Sequence, residues 1–332
     1  TRIFWSVGPT LRQNPQAMPR ALEHITSFLF LLWSPASSIQ IFNMRTEYLT
    51  NPLGIDVLQP RFSWEMTSHG ALRGLAQKSY RLDVHEVGSV GDAVWRSLDV
   101  YSSEAQNIRY GVGGSKATPL KSGTSYTWTV VVTSTGGVSQ MSPRASFSIG
   151  MLVKGAWSGK FIGMKASDAN QSGVAPWFRK TFALPAGPLE GDALLYVASV
   201  GFCEVTVNGK AASEAVLSPS ISYLSGRVLY RTYNVSELVY AGANNTIGLW
   251  ASAGWADYFS FSWAKPLQWQ HAPIVMAELQ VARQVMVASD ATWQCRRSPI
   301  SRVGQWGKGG LSDMHPAHLH LLCFRVLWQP KA

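Results

Sequence analysis

Charged side chains are scarce in this chain of 332 residues. Asp, Glu, Lys and Arg make up 14% of it, whereas a typical soluble domain carries about 25%. Its 46% hydrophobic content excludes a disordered protein and supplies enough apolar side chains for two cores. The formal net charge is +10, but seven of the ten charges lie in residues 1–48 and 294–332. Because the middle of the chain has no cluster of Lys and Arg, we predict no nucleic-acid partner.

Cysteines and long apolar runs are also few. Cys203, Cys295 and Cys323 have no CxxC spacing, so they support neither a zinc site nor a disulfide framework and are expected as core thiols. The longest apolar candidate, residues 25–33, is far shorter than the roughly 20 residues that span a bilayer. We therefore predict no transmembrane helix and no membrane partner. Apolar residues at helical spacing do not extend beyond about two turns, so long helices are not expected either.

The two ends of the chain differ from its middle. Residues 18–38 place Arg20 before an apolar run and then small residues, an order that resembles a secretory signal peptide, although Glu23 interrupts the basic part. For residues 1–43, a signal-like segment that implies secretion and a non-native extension both remain open. Residues 294–332 lose the alternation of the preceding sequence. His315, His318 and His320 could ligate a metal, but no carboxylate or thiol has a suitable spacing, so we predict an irregular or out-of-frame tail without a metal site.

Residues 44–150 contain short alternating segments about ten residues apart, which is the spacing of a β-sandwich. In each segment one face is apolar and the other is polar. Leu120, Gly123 and Tyr126 stand where a tyrosine corner would place them, just before the strongest alternating run. The pattern predicts a domain of fibronectin type III or immunoglobulin type.

Residues 156–293 contain a second series of strand-like segments. Asn208-Gly209 lies between alternating residues and predicts a tight hairpin, because both turn positions need positive φ. Pro219, Pro266 and Pro273 separate other segments as loops. We predict a jelly-roll sandwich. The expected fold class is therefore all-β, with a fibronectin type III-like β-sandwich followed by a jelly-roll β-sandwich.

Six short motifs follow one another at suitable separations through both blocks. They are NPLGID (51–56), PRFSW (60–64), LKSGT (120–124), FRK (178–180), VNGK (207–210) and RVLYRTY (227–233). This order resembles the amino-terminal part of bacterial and fungal α-L-rhamnosidases, which form glycoside hydrolase family 78. The resemblance covers roughly residues 44–295.

The resemblance implies a non-catalytic role for this chain. In that family a downstream (α/α)₆ barrel performs the hydrolysis with two carboxylates, one as general acid and one as general base. None of the 19 acidic residues here matches the catalytic motif of that barrel. Glu204 and Glu214 flank the predicted hairpin and are interpreted as solvent-facing. We therefore predict no catalytic residue in this chain, and a role in domain positioning or rhamnoside binding.

A sugar site is the function that needs no barrel. Related sandwiches of the family bind rhamnose, in one case through calcium, so calcium enters here by resemblance alone. In residues 254–263, Trp255, Tyr258 and Trp263 could offer flat apolar faces, and Asp257 could select hydroxyl groups. The expected partners are rhamnose-containing glycosides or polysaccharides. The same aromatic residues could instead cover a junction with the next domain. A stand-alone carbohydrate-binding protein and a fibronectin-like protein-interaction module also remain alternatives.

Overall fold

A computed structural model describes residues 38–69, 74–89, 91–153, 155–164, 175–220, 222–224, 226–257 and 273–302, together with the backbone of 311–312, 321–322 and 324–325. Within these residues the regular structure is β-strand, apart from one 3₁₀ turn at Gly254–Asp257. The prediction of an all-β fold is therefore confirmed. No described segment forms an apolar helix of membrane-spanning length.

The first sandwich packs a three-stranded sheet against a second sheet, with every strand pair antiparallel. The first sheet has the order β1-β2-β5; the second has the order β4-β3-β6-β7, and β8 also pairs with β6. The strands are β1 Ser38–Thr46, β2 Arg61–His69, β3 Gln77–Glu86, β4 Trp95–Arg96, β5 Ile108–Arg109, β6 Ser125–Ser134, β7 Ser139–Met141 and β8 Ala145–Ser148.

Strand β1 begins at Ser38, six residues before the start expected at residue 44. The earlier start has a packing reason, because Ile39 and Ile41 are buried in the core of this sandwich. The two isoleucines thus belong to the fold and not to an extension.

Aromatic side chains dominate the core of the first sandwich. Phe62 lies 4.8 Å from Trp128 and 5.8 Å from Phe147, measured between ring centroids. The predicted tyrosine corner is confirmed, since the Lys121 N–H donates to the Tyr126 hydroxyl oxygen at 2.8 Å. This bond fixes the loop that leads into β6.

The second sandwich also consists of two antiparallel sheets, one with the order β13-β12-β15-β10-β18-β21 and one with the order β14-β11-β16-β9-β22, in which β17 also pairs with β16. A separate pair is formed by β19 and β20. The strands are β9 Ile162–Gly163, β10 Pro176–Ala183, β11 Ala193–Val200, β12 Phe202–Val207, β13 Lys210–Ala211, β14 Tyr230–Asn234, β15 Asn244–Ser252, β16 Ile274–Val281, β17 Gln284–Ala288, β18 Gln294–Arg297, β19 Ile300–Arg302, β20 Leu311–Ser312, β21 Leu321–Leu322 and β22 Phe324–Arg325.

The predicted Asn208-Gly209 hairpin is confirmed. It joins β12 to β13, and its two residues have φ angles of 52° and 79°. The prediction of an irregular tail from residue 294 was wrong at its start, because β18 pairs with β10 and buries Cys295 in the core. The sandwich therefore continues past residue 293.

The core of the second sandwich is mainly aliphatic and contains two of the expected core thiols. Cys203 and Cys295 are both buried and free, which confirms the prediction for these two residues. Burial raises the pKa of Cys203 to about 12, with a smaller contribution from Glu204. Cys323 and the three histidines of the tail lie outside the described residues.

Candidate functional site

The predicted sugar-binding segment begins at the turn Gly254–Asp257, directly after β15. Gly254 has a φ of +49°, and a Cβ there would lie 2.7 Å from the Phe202 ring, so the turn requires glycine. The Ala256 N–H donates to the Ala253 carbonyl oxygen at 2.9 Å, and Ala256 is buried. The backbone thus places Trp255 and Asp257 in one turn.

The remaining parts of that prediction lie outside the described structure. Tyr258 and Trp263 are not among the described residues, and neither are the side chains of Trp255 and Asp257. Their grouping into one site stays a prediction.

A second candidate region is the junction where the first sandwich meets the β14-β11-β16 sheet. Alternate residues of these strands point away from the core and toward the linker, residues 149–161, which joins β8 to β9. Among them, Tyr196 and Tyr230 flank Trp157 of the linker, whose ring meets theirs edge-on at centroid distances of 6.1 and 5.4 Å. The linker therefore packs on the sheet and does not hang free.

Two glycines, Gly54 of the first sandwich and Gly150 of the linker, allow the backbone to come close to side chains of β14. A Cβ at Gly150 would lie 2.1 Å from the Tyr230 hydroxyl oxygen, and a Cβ at Gly54 would lie 2.2 Å from the Thr232 hydroxyl oxygen. Gly54 belongs to the NPLGID motif, and Tyr230 and Thr232 belong to the RVLYRTY motif. The two motifs, about 175 residues apart, thus meet at the junction.

Hydrogen bonds join the two sides. The Met151 N–H donates to the Tyr230 hydroxyl oxygen at 2.7 Å. Ser122 holds the same stretch of linker, since its hydroxyl donates to the Gly150 carbonyl oxygen at 3.0 Å and accepts from the Leu152 N–H at 2.9 Å. The linker is therefore bonded to both sandwiches within three residues.

A buried carboxylate fixes the next part of the linker. Glu278 of β16 is fully buried, and it accepts hydrogen bonds from the Ser158 N–H at 2.6 Å and the Gly159 N–H at 3.1 Å. The Gln280 side-chain amide donates to its other oxygen at 2.7 Å. Because an unpaired buried carboxylate is costly, these three donors make Glu278 a clamp on the linker.

The rim of the junction is polar. Glu86 of the first sandwich accepts a hydrogen bond from Lys121 at 2.8 Å and lies 3.9 Å from Arg283 of the second. A cavity of about 220 Å³ lies beside these residues. Burial raises the pKa values of Tyr196 and Tyr230, so both phenols stay neutral at ordinary pH. In the described structure the Tyr196 hydroxyl, which lines this cavity, has no hydrogen-bond partner.

Sequence reasoning missed Glu278 and the meeting of the two motifs. A signal for Glu278 was available, because it is a lone charge in the apolar run of β16. A charged residue inside a strand that is buried on both faces is expected to have specific partners.

The fold and the junction define a class of protein, a tandem of two β-sandwiches joined by a clamped linker. Two family models match parts of this chain. "Rha78A-like, N-terminal immunoglobulin domain" matches residues 41–153, and "Alpha-L-rhamnosidase N-terminal domain" matches residues 191–311. Both models describe amino-terminal domains of α-L-rhamnosidases, so the chain corresponds to the amino-terminal region of proteins of this family.

Curated relatives agree with this assignment. An α-L-rhamnosidase of Formosa agariphila is 27% identical over 285 residues, which cover 81% of this chain and 30% of the relative. One from Streptomyces avermitilis is 29% identical over 255 residues, which cover 66% of this chain and 23% of the relative. The chain therefore spans less than a third of the length of these relatives.

Solved structures show the same fold. The α-L-rhamnosidase structure from Aspergillus terreus has a TM-score of 0.71 at 20% identity, and that from Dictyoglumus thermophilum has a TM-score of 0.65 at 22% identity. Each comparison covers 88% of this chain and 34% of the other. The finer predictions, a fibronectin type III-like and a jelly-roll topology, remain predictions.

Proposed function

We propose that this chain is a non-catalytic support in an α-L-rhamnosidase, in which the two sandwiches act as one rigid body that positions other parts of the enzyme. The observation that carries the proposal is the clamped linker. Tyr230 bonds the backbone at Met151, and Glu278 bonds it at Ser158 and Gly159. A flexible tether between independent domains would not need a buried carboxylate to hold it.

Calorimetry of the 332-residue chain tests the rigid coupling. We expect both sandwiches to unfold in one cooperative transition. Tyr230→Phe removes the acceptor of the Met151 N–H and should split this transition into two. Tyr126→Phe is the matched control, because it also removes a phenol that accepts a backbone N–H, but inside the first sandwich. Two separate transitions in the unchanged chain would contradict the proposal.

An activity assay tests the non-catalytic role. We expect the purified chain to release no nitrophenol from p-nitrophenyl α-L-rhamnoside above the rate in buffer, since we find no pair of carboxylates matched to the catalytic motif. Hydrolysis that copurifies with the chain would refute this role.

The second proposed function is binding of rhamnose-containing glycosides through Trp255, Asp257, Tyr258 and Trp263. It is supported by the relatives' description as α-L-rhamnosidases and by the turn Gly254–Asp257, whose backbone contains the first two of these residues. In the part of the chain that the structure describes, no three His, Cys, Asp or Glu side chains are grouped to hold a metal ion.

Titration calorimetry with L-rhamnose tests this binding. We expect heat of binding with the unchanged chain and a loss of it with Trp263→Ala. Tyr101→Ala is the control, because Tyr101 is a 78% exposed aromatic on the other sandwich. Equal affinities of the three proteins for L-rhamnose would exclude a role of Trp263.

A further inference from the structure

The outer face of the second sandwich contains a groove that neither proposal uses. It lies across β12, β15 and β10 and has a volume of about 530 Å³. Ligand clefts in proteins commonly measure about 300–1,000 Å³, so the groove is large enough for a small molecule or a segment of a chain.

The strand register builds the groove from two rows of side chains. In one row Trp250 stands between Glu204 and Trp177, and in the next row Gly248 stands between Thr206 and Arg179. The rows are about 7 Å apart, because each residue of an antiparallel strand adds about 3.4 Å. A Cβ at Gly248 would lie 2.6 Å from the Thr206 hydroxyl oxygen. Gly248 thus leaves the middle of the sheet face open.

Two tryptophans form the apolar wall. The rings of Trp177 and Trp250 lie 5.8 Å apart at an angle of 80°, and both side chains are only partly buried. Their strand neighbours Phe178 and Leu249 point inward and supply the core. The tryptophans therefore add little to that core and present apolar surface to a ligand.

The polar lining selects the kind of ligand. Glu204 and Arg179 are exposed, and neither forms an ion pair with another described residue. One carboxylate and one guanidinium give the groove no net charge, which does not suit a polyanion. An apolar protein segment would bury both charged groups without partners, which is costly.

We propose that this groove is a carbohydrate-binding site for a neutral pyranose unit of a glycan. The C–H face of the sugar packs on Trp177 and Trp250, and its hydroxyl groups bond to Glu204, Arg179 and Thr206. The groove shares no residue with the segment 254–263. That the glycan contains rhamnose rests on the proposed function, whereas binding of a neutral sugar rests on the groove itself.

Affinity measurements on the full 332-residue chain test the site. The neutral probes are L-rhamnose and cellohexaose, and heparin serves as a polyanion. We expect at least one neutral probe to bind, and Trp250→Ala to weaken that binding about tenfold or more. Gly248→Val should fill the groove and have the same effect. Glu204→Gln, which keeps the shape of the side chain, should also weaken binding. Tyr101→Ala should leave it unchanged.

The outcomes separate this inference from the proposed functions. Loss of cellohexaose binding in Trp250→Ala supports the groove even if rhamnose does not bind. Rhamnose binding that depends on Trp263 but not on Trp250, Gly248 or Glu204 overturns the groove and leaves the segment 254–263 in place. Failure of every neutral probe to bind, or preference for heparin, also overturns it. The coupling of the sandwiches is measured separately by calorimetry.

Discussion

The two sandwiches use their aromatic side chains differently. Eight of the 18 buried residues in the core of the first are aromatic, against four of the 23 in the main core of the second. In the described part of the second sandwich, further aromatics lie outside this core, among them Trp157, Tyr196 and Tyr230 at the junction and Trp177 and Trp250 in the groove. The aromatic side chains of the first sandwich thus mainly stabilise its own core, whereas those named in the second sandwich contact the linker or line the groove.

The largest effect is expected where an aromatic residue is buried. Trp128 is 1% exposed, and its indole N–H donates to the Thr46 hydroxyl oxygen at 3.0 Å. Trp128→Ala should lower the free energy of unfolding by about 3–5 kcal/mol through the cavity that it leaves. Chemical denaturation followed by circular dichroism measures the loss.

The groove tryptophan provides the matched substitution. Trp250→Ala should cost about 1 kcal/mol or less, because this side chain lies on an outer face. Similar losses of unfolding free energy in Trp128→Ala and Trp250→Ala would contradict the view that Trp128 stabilises a core and Trp250 serves for contacts.

The next largest effect is expected at the junction. Glu278→Gln keeps the side-chain volume but removes the charge. Its amide has one acceptor oxygen, so it cannot accept from both the linker N–H groups and the Gln280 amide as the two carboxylate oxygens do. We expect a loss of about 1–3 kcal/mol in the free energy of unfolding. Glu204→Gln, an exposed residue of the same type, should change stability little. Equal stability of Glu278→Gln and the unchanged chain would show that the clamp does not hold the linker.

A smaller loss is expected at the tyrosine corner. Tyr126→Phe removes one hydrogen bond to the Lys121 N–H and should lower the free energy of unfolding by about 1 kcal/mol. Thermal unfolding of the variant measures it. An unchanged melting temperature would mean that the corner adds nothing beyond the packing of the ring.

Local signals in the sequence predicted these features to different degrees. Alternating polarity predicted the strands, and the spacing of Leu120, Gly123 and Tyr126 predicted the tyrosine corner. Both features depend on residues that are close together in the sequence. The groove depends on β10, β12 and β15 meeting in one register across about 70 residues, which local patterns do not determine. Gly248 is also a poor strand former on propensity alone, so its role emerges only from its neighbours Thr206 and Arg179.

The smallest effect concerns the acid sensitivity of the first sandwich. Glu47 accepts hydrogen bonds from the Arg61 backbone N–H at 2.7 Å and from its guanidinium, and the side-chain bond is the main cause of a pKa below the usual 4.5. Because the folded pKa is depressed, the stability that Glu47 contributes is present above pH 4.5 and is lost as the pH falls through the folded value.

Glu47→Gln should therefore lower the melting temperature at pH 7 by about 4 °C or less, and this difference should shrink as the pH is lowered. Melting curves of both proteins between pH 7 and pH 2 measure the trend. If the gap instead stayed constant down to pH 2, Glu47 would stabilise the fold by packing and not by its charge. The first sandwich would then owe no part of its acid sensitivity to this pair, which would sharpen the view that its stability comes from its aromatic core.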